Sequence, residues 1–240
     1  MSEAVQYDLV PGKKLGRHYR ILSTLGHGWE GEVYKVEETA TGIVRAAKLF
    51  YKHRYENKKL PHVDYAKKLN QLRSCSIVIQ YHHQDQFRMK GNNIDFLVSD
   101  FVDGEVLSSY LENQPKKRLL PFEALNLFYV LIKGVEKIHS LNEYHGDIHL
   151  DNIIVRRKGL HFDVNLIDLM HLGKSSKHKI QTDINDLISV LYEMIGGAKH
   201  YQKMPPQIKS IILGRKKNLI SQQFQNAHQL KMYLENLEWK

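Results

Sequence analysis

The texture of the chain changes once, near Gly104, and that change restricts the folds open to it. Before it, alternating apolar and polar side chains mark strands. YRILSTLG and EVYKVEE flank a glycine turn, VRAAKLF follows the Thr41-Gly42 turn, and SIVIQYHHQDQF and NNIDFLVSDFV come later. One helix is predicted among them over residues 61–73, with Pro61 in its first turn and Tyr65, Leu69 and Leu72 on one face. After Gly104 the helical period dominates. VLSSYLENQ suits a short helix, and the segment from Pro121 a long one, with Leu125, Phe128, Ile132 and Val135 on one side. Two short strands, NIIV and VNLID, precede a helix over Asp183–Ile195 that stops at Gly196 and Gly197. Weaker helices are predicted near 205–213 and 222–237. The fold class is therefore α+β: a small antiparallel β lobe with one helix, then a mainly helical lobe. The division is an N-terminal extension over 1–18, a first lobe over 19–100 and a second over 101–240, with no internal repeat.

Composition excludes several classes. A single cysteine, Cys75, rules out a disulfide framework or a cysteine-rich zinc site and points to a reducing, cytoplasmic setting. No apolar run reaches the length of a membrane span, and the N-terminus lacks the order of a secretory signal, so a soluble chain is expected. The 35 Lys and Arg against 26 Asp and Glu give +9, which favours polyanionic partners without choosing among them. The basic clusters KHRYENKK (52–59), KKR (116–118), RRK (156–158) and RKK (215–217) are short and dispersed. They read as solvated surface, with a functional polyanion patch as the alternative.

Three constellations carry chemistry. Gly26, Gly28 and Gly31, in GHGWEGEVY, lie between two strands, where backbone amides can approach phosphate oxygens. A dinucleotide fingerprint would need a helix directly after them. Lys48, in AAKLF, is flanked by apolar residues on the third strand and can meet α- and β-phosphates under that turn. The strongest signal is HGDIHLDNIIV from His145. It places Asp147 and Asn152 in one loop after the long helix, with Asp168 ending the next strand in LIDLM. Phosphoryl transfer needs one group to orient the attacking hydroxyl and oxygen ligands to hold Mg²⁺; Asp147 suits the first role, Asn152 and Asp168 the second.

The ordered set GHGWEGEV, AAK, HGDIHLDN and LID resembles the protein kinase superfamily over roughly residues 19–195. The resemblance implies a bilobal fold and transfer of the γ-phosphate of Mg-ATP, with Mn²⁺ as an alternative ion, to a Ser or Thr hydroxyl of a protein. Gly26, Gly28, Gly31 and Val33 would cover the nucleotide, Lys48 would contact its phosphates, and Asp100 and Val102 would face adenine, with Ser99 as gatekeeper. Asp147 would be the catalytic base, Asn152 and Asp168 the metal ligands, and Asp183 the acceptor of bonds from the loop backbone. His149 stands where the family usually carries a lysine that touches the transferred phosphate. His145 is expected to support the loop, and His139 to be a satisfied packing histidine.

Departures from the family pattern point elsewhere. Gly146 replaces the arginine that receives a phosphorylated activation loop, so conventional loop regulation is not expected. LM replaces Phe-Gly after Asp168, and only 14 residues separate Asp168 from Asp183. The helix partner of Lys48 is open among Asp64, Glu56 and no carboxylate at all. The alternative readings are a small-molecule or carbohydrate kinase of the aminoglycoside, choline or lipopolysaccharide type, and a pseudokinase scaffold. The protein substrate is expected to be acidic, nucleic acid is not an expected partner, and similarity to compact bacterial kinases adds a bacterial effector delivered into a host cell.

Overall fold

The computed structural model describes residues 6–51, 61–170 and 173–238. Glu56 and the basic cluster at 52–59 lie outside the described residues. The chain divides into two compact units: residues up to Arg73 with Ile79–Val102, and Ser74–Val78 with the chain from Asp103 onward.

The first unit is a six-stranded antiparallel sheet with one helix. Its strands are β1 (Lys14–Leu15), β2 (Tyr19–His27), β3 (Gly31–Glu38), β4 (Val44–Phe50), β5 (Tyr81–Met89) and β6 (Asn92–Asp100), in the order β1-β2-β3-β4-β6-β5. Register follows the burial pattern: Tyr34 and Val36 of β3, Ala47 and Leu49 of β4, and Phe96 and Val98 of β6 are all buried on one face. Helix α1 (Pro61–Gln71) packs on β5 and β6, with Tyr65, Leu69 and Leu72 buried as their spacing predicts.

The N-terminal segment is built into this core. Tyr7 and Leu9 are buried, the Tyr7 amide donates to Glu32 Oε1 at 2.7 Å, and the Leu9 amide donates to the Tyr34 hydroxyl at 3.0 Å. Glu32 is itself buried, and the Tyr34 and Tyr51 hydroxyls also donate to its carboxylate. A buried carboxylate is tolerable only with such donors. Burial, and then the hydrogen bond to Glu32, push both phenols well above their ordinary range.

The second unit is mainly helical. A small sheet of β7 (Glu105–Val106), β8 (Ile153–Lys158) and β9 (His161–Leu166) accompanies helices α2 (Leu107–Glu112), α3 (Pro121–Ser140), α4 (Lys177–Met194), α5 (Gly197–Tyr201), α6 (Pro206–Ile212), α7 (Lys217–Gln223) and α8 (Ala227–Glu235). The predicted stripe Leu125, Phe128, Ile132 and Val135 of α3 is buried. At Gly134 an added β carbon would lie 2.3 Å from Ile77, so a glycine inside this helix lets the 74–78 segment approach closely.

Helix boundaries differ from expectation in two places. Helix α4 begins at Lys177 rather than Asp183, because Ser176 caps it by accepting from the Lys179 amide at 3.3 Å; the first turns are polar and show no apolar period. The helix predicted over 222–237 is α8, which starts only at Ala227, and the sequence reading did not contain α7 before it. The two are broken at Phe224-Gln225-Asn226, where Asn226 caps α8 by accepting from the Gln229 amide.

Candidate active site

In the first unit the glycine turn joins β2 to β3. The three glycines are not equivalent. A β carbon on Gly31 would lie 1.8 Å from the Leu49 carbonyl oxygen, whereas Gly26 and Gly28 have open space beside them. Gly31 is therefore required by contact with β4, and the other two leave the turn bare of side chains. The turn is closed by Gly28 N donating to Gly31 O at 2.9 Å and tied to β4 by Tyr51 N donating to Glu30 O at 2.9 Å.

Lys48 is the register partner of Val33 and lies largely buried on β4. Its ammonium donates to Glu30 Oε2 at 2.8 Å and sits 4.9 Å from the centre of the Tyr65 ring. A carboxylate of the glycine turn thus meets Lys48. Asp64 is not its partner, since α1 presents Tyr65 at that place. At the end of β6, Ser99 is buried. The Asp100 side chain accepts from Arg45 at 2.9 Å, and the Asp100 amide donates to Gln80 O at 3.0 Å. Val102 is half-buried at the end of this unit.

In the second unit the loop from His145 to Asn152 is held from below by Asp183. This fully buried carboxylate accepts from the amides of His145 (2.8 Å) and Gly146 (2.7 Å), and its third bond is to His139 Nε2 at 3.0 Å. His139 is therefore not a satisfied packing residue: it braces Asp183, and its buried Nδ1 has no hydrogen-bond partner among the described residues. His145, fully buried, accepts from Asp147 N at Nδ1 (3.2 Å) and donates from Nε2 to Ile167 O (3.1 Å), which fixes its neutral Nε2–H tautomer. It supports the loop.

The predicted residues of this unit come together. Asn152 Nδ2 donates to both Asp147 O (2.9 Å) and Asp147 Oδ2 (3.0 Å), which leaves Asn152 Oδ1 as an open acceptor. Asp168 is flanked by two bonds to the same loop, Ile167 N to Asn152 O at 3.0 Å and Met170 N to His145 O at 2.8 Å. Its backbone is left-handed, with φ of 55°, a conformation costly for a non-glycine residue and held here by those bonds. His149 Nε2 is 3.6 Å from Asp147 Oδ2, and its Nδ1 accepts from the Asp151 amide at 3.3 Å; both His149 and Asp147 are well exposed.

Gly146 is explained by geometry. Its φ is 87°, and a β carbon would lie 2.7 Å from the Tyr144 ring and 3.0 Å from Met170. One residue of the site carried no motif signal: Asp186, one turn beyond Asp183 on α4. Burial, then the negative charges of Asp183 and Asp147, raise its carboxyl to about 6. The helical interval of three from Asp183 was the only clue to its facing the loop.

Asn152 and Asp168 fit a hard divalent cation, which prefers oxygen ligands. Among the described residues no group of three His, Cys, Asp or Glu side chains could hold a metal alone. Two protein oxygens completed by nucleotide phosphates is the arrangement such a pair allows.

The chain is matched over residues 19–203 by the family described as the protein kinase domain. It is 28% identical over 206 residues to cyclin-dependent kinase 12 of Caenorhabditis elegans, covering 77% of this chain and 26% of that protein. It is 29% identical over 147 residues to the serine/threonine-protein kinase stk11 homolog of Dictyostelium discoideum, covering 59% of this chain and 24% of that one. The chain thus spans about a quarter of the length of these two relatives. The kinase domain of Mycobacterium tuberculosis PknI superposes with a TM-score of 0.65 at 15% identity, covering 95% of this chain and 98% of that one, which shows a shared fold. With the glycine turn, Lys48 and the Asp147–Asn152 loop in family order, the chain belongs to the protein kinase domain family.

Proposed function

We propose that the chain transfers the γ-phosphate of ATP to a Ser or Thr hydroxyl of a protein. The observation that carries this reading is the bonded pair Asp147–Asn152 on a loop anchored by Asp183 and linked on both sides of Asp168. Such fixed placement is what phosphoryl transfer requires, since its catalysis is mostly positioning and charge stabilisation.

In this mechanism Asp147 accepts the proton of the attacking hydroxyl and orients its oxygen, while the Asn152 amide holds the carboxylate in place. Asn152 Oδ1 and the Asp168 carboxylate would hold Mg²⁺ or Mn²⁺, which when bound neutralises phosphate charge. The glycine turn with Val33 covers the nucleotide, Lys48 supplies a cation to its phosphates, and the backbone of Asp100 and Val102 faces adenine. His149, when protonated, contacts the transferring group beside Asp147. Activation by a phosphorylated loop has no receptor at Gly146.

Residues 169–176 alone connect Asp168 to α4, which favours a second reading, transfer to a small hydroxylated molecule, because so short a connection offers little platform for a peptide. Among the described residues no helix is long and apolar enough to cross a membrane.

The experiment is transfer of labelled phosphate from Mg-ATP, with a general protein substrate and separately with a panel of small alcohols and sugars. Asp147→Ala and Asp168→Ala are expected to lower transfer by about 10³-fold or more while the thermal transition stays sharp. Label on protein supports the first reading and label only on small molecules the second. Undiminished transfer in both variants overturns the mechanism.

A further inference from the structure

The KKR cluster at 116–118 is left unused by the site above, and the fold brings further cations to it. The turn 115–118 is held to the end of α4 by Leu119 N donating to Met194 O at 2.8 Å, and α5 begins three residues later, at Gly197. Lys116, Lys117 and Arg118 thereby share one surface with Lys199, His200 and Lys203. At Gly196, where φ is 91°, a β carbon would meet His200 at 2.6 Å and Arg118 at 3.0 Å, so the glycine is what lets those two side chains approach each other.

Two observations separate this surface from ordinary solvated charge. First, the comparable basic run 156–158 is matched by carboxylates, Arg156 with Asp103 and Asp163, Arg157 with Glu123 and Lys158 with Asp163. Here Lys117 meets Glu112, but Lys116, Arg118, Lys199 and Lys203 form no ion pair among the described residues. Desolvation, then the charges of Arg118, Lys199, Lys203 and Lys116, depress the His200 imidazole, which registers the positive field. Second, the crowding is built on unfavourable backbone. Lys116 and Lys117 are both left-handed, with φ of 59° and 53°. A left-handed backbone is unfavourable for a residue with a side chain, and like charges side by side add to that cost.

We propose that this surface of the second unit is a docking site for an acidic polypeptide segment. Side-chain carboxylates fit it better than nucleic acid does. Alongside, Arg215 lies 5.0 Å over the Tyr192 ring and Tyr201 packs against it at 5.5 Å, so that ring is engaged within the protein and less able to stack a base. That the segment belongs to a substrate rests on the protein-kinase reading above. Along α4, Asp183 beneath the loop and Met194 beside the patch are separated by about 17 Å at 1.5 Å per residue. An acidic stretch roughly five or six extended residues from the phosphoacceptor would reach it.

The test is fluorescence anisotropy of a labelled Asp/Glu-rich peptide with the full chain, without ATP, so that a failure of docking and a failure of catalysis are read separately. Lys116→Glu/Lys199→Glu/Lys203→Glu is expected to weaken binding by about tenfold or more. Lys67→Glu/Arg88→Glu/Lys90→Glu, which changes net charge equally on exposed positions of the first unit, is expected to stay within about twofold of the parent. The neutral variant Lys116→Ala/Lys199→Ala/Lys203→Ala, with its melting curve recorded, serves if the reversal disturbs folding, and should weaken binding in the same direction. Equal loss in both reversals, or no loss in the neutral variant, overturns the proposal. So does tighter binding of an oligothymidylate of matched charge that the same patch variants abolish, which would assign the surface to nucleic acid.

Discussion

At Gly31 one methyl group decides the local structure. Because its β carbon would fall 1.8 Å from a β4 carbonyl oxygen, Gly31→Ala must push β3 and β4 apart. A loss of about 2–4 kcal/mol is expected in chemical denaturation, against less than about 1 kcal/mol for Gly28→Ala, which meets open space. Next to it, in the proposed mechanism, Glu30 and nucleotide phosphates would compete for the Lys48 ammonium. Glu30→Ala is expected to tighten ATP binding about threefold by calorimetry, and to do nothing in a Lys48→Ala background. Asp186 gives a pH signature. Its folded value, about 6, lies above the unfolded one, so between about pH 4 and 6 the folded chain holds a proton that the unfolded chain has lost. Stability from this group therefore falls as pH rises through that window. Asp186→Asn should remove the slope and raise stability at pH 7.5 by about 1 kcal/mol after allowing for solvent screening. At this scale the motif residues were legible because their chemistry is local. The Glu30 bond to Lys48 and the position of Asp186 were not, since each depends on which side chain a turn or a helix face presents.

Among elements, α4 matters most to the loop. Its Asp183 holds two consecutive loop amides, as no other carboxylate does among the described residues, and it does so with no exposed surface. Asp183→Ala would strand those buried amides, with an expected loss of about 3 kcal/mol and of most activity. Asp183→Asn, which keeps one acceptor oxygen, should lie between it and the parent in both denaturation and transfer assays. The apolar half of α4 could be read from its period, but its start could not: Lys177–Thr182 carries no apolar stripe, and only the Ser176 cap marks the boundary. The break between α7 and α8 was hidden for a related reason, because Phe224 continues an apolar face while leaving the helix.

For the molecule as a whole, the first unit depends on its N-terminal segment. Removal of residues 1–9 would open Glu32 to water and expose the Tyr34 and Leu49 face, so a lower melting temperature is expected, by several degrees, in calorimetry. The strand-then-helix order was visible in the sequence because hydrophobic period reports local geometry. The capture of residues 74–78 by the helical unit was not, because it rests on one glycine in α3 and a bridge from Val78 to Leu166. Gly146 has a further consequence. An arginine there would need a left-handed backbone and would strike Tyr144 and Met170 together, so both neighbours must move before that side chain is accommodated. The cost of such an exchange would show first as a lower melting temperature of Gly146→Arg, before any assay of activity.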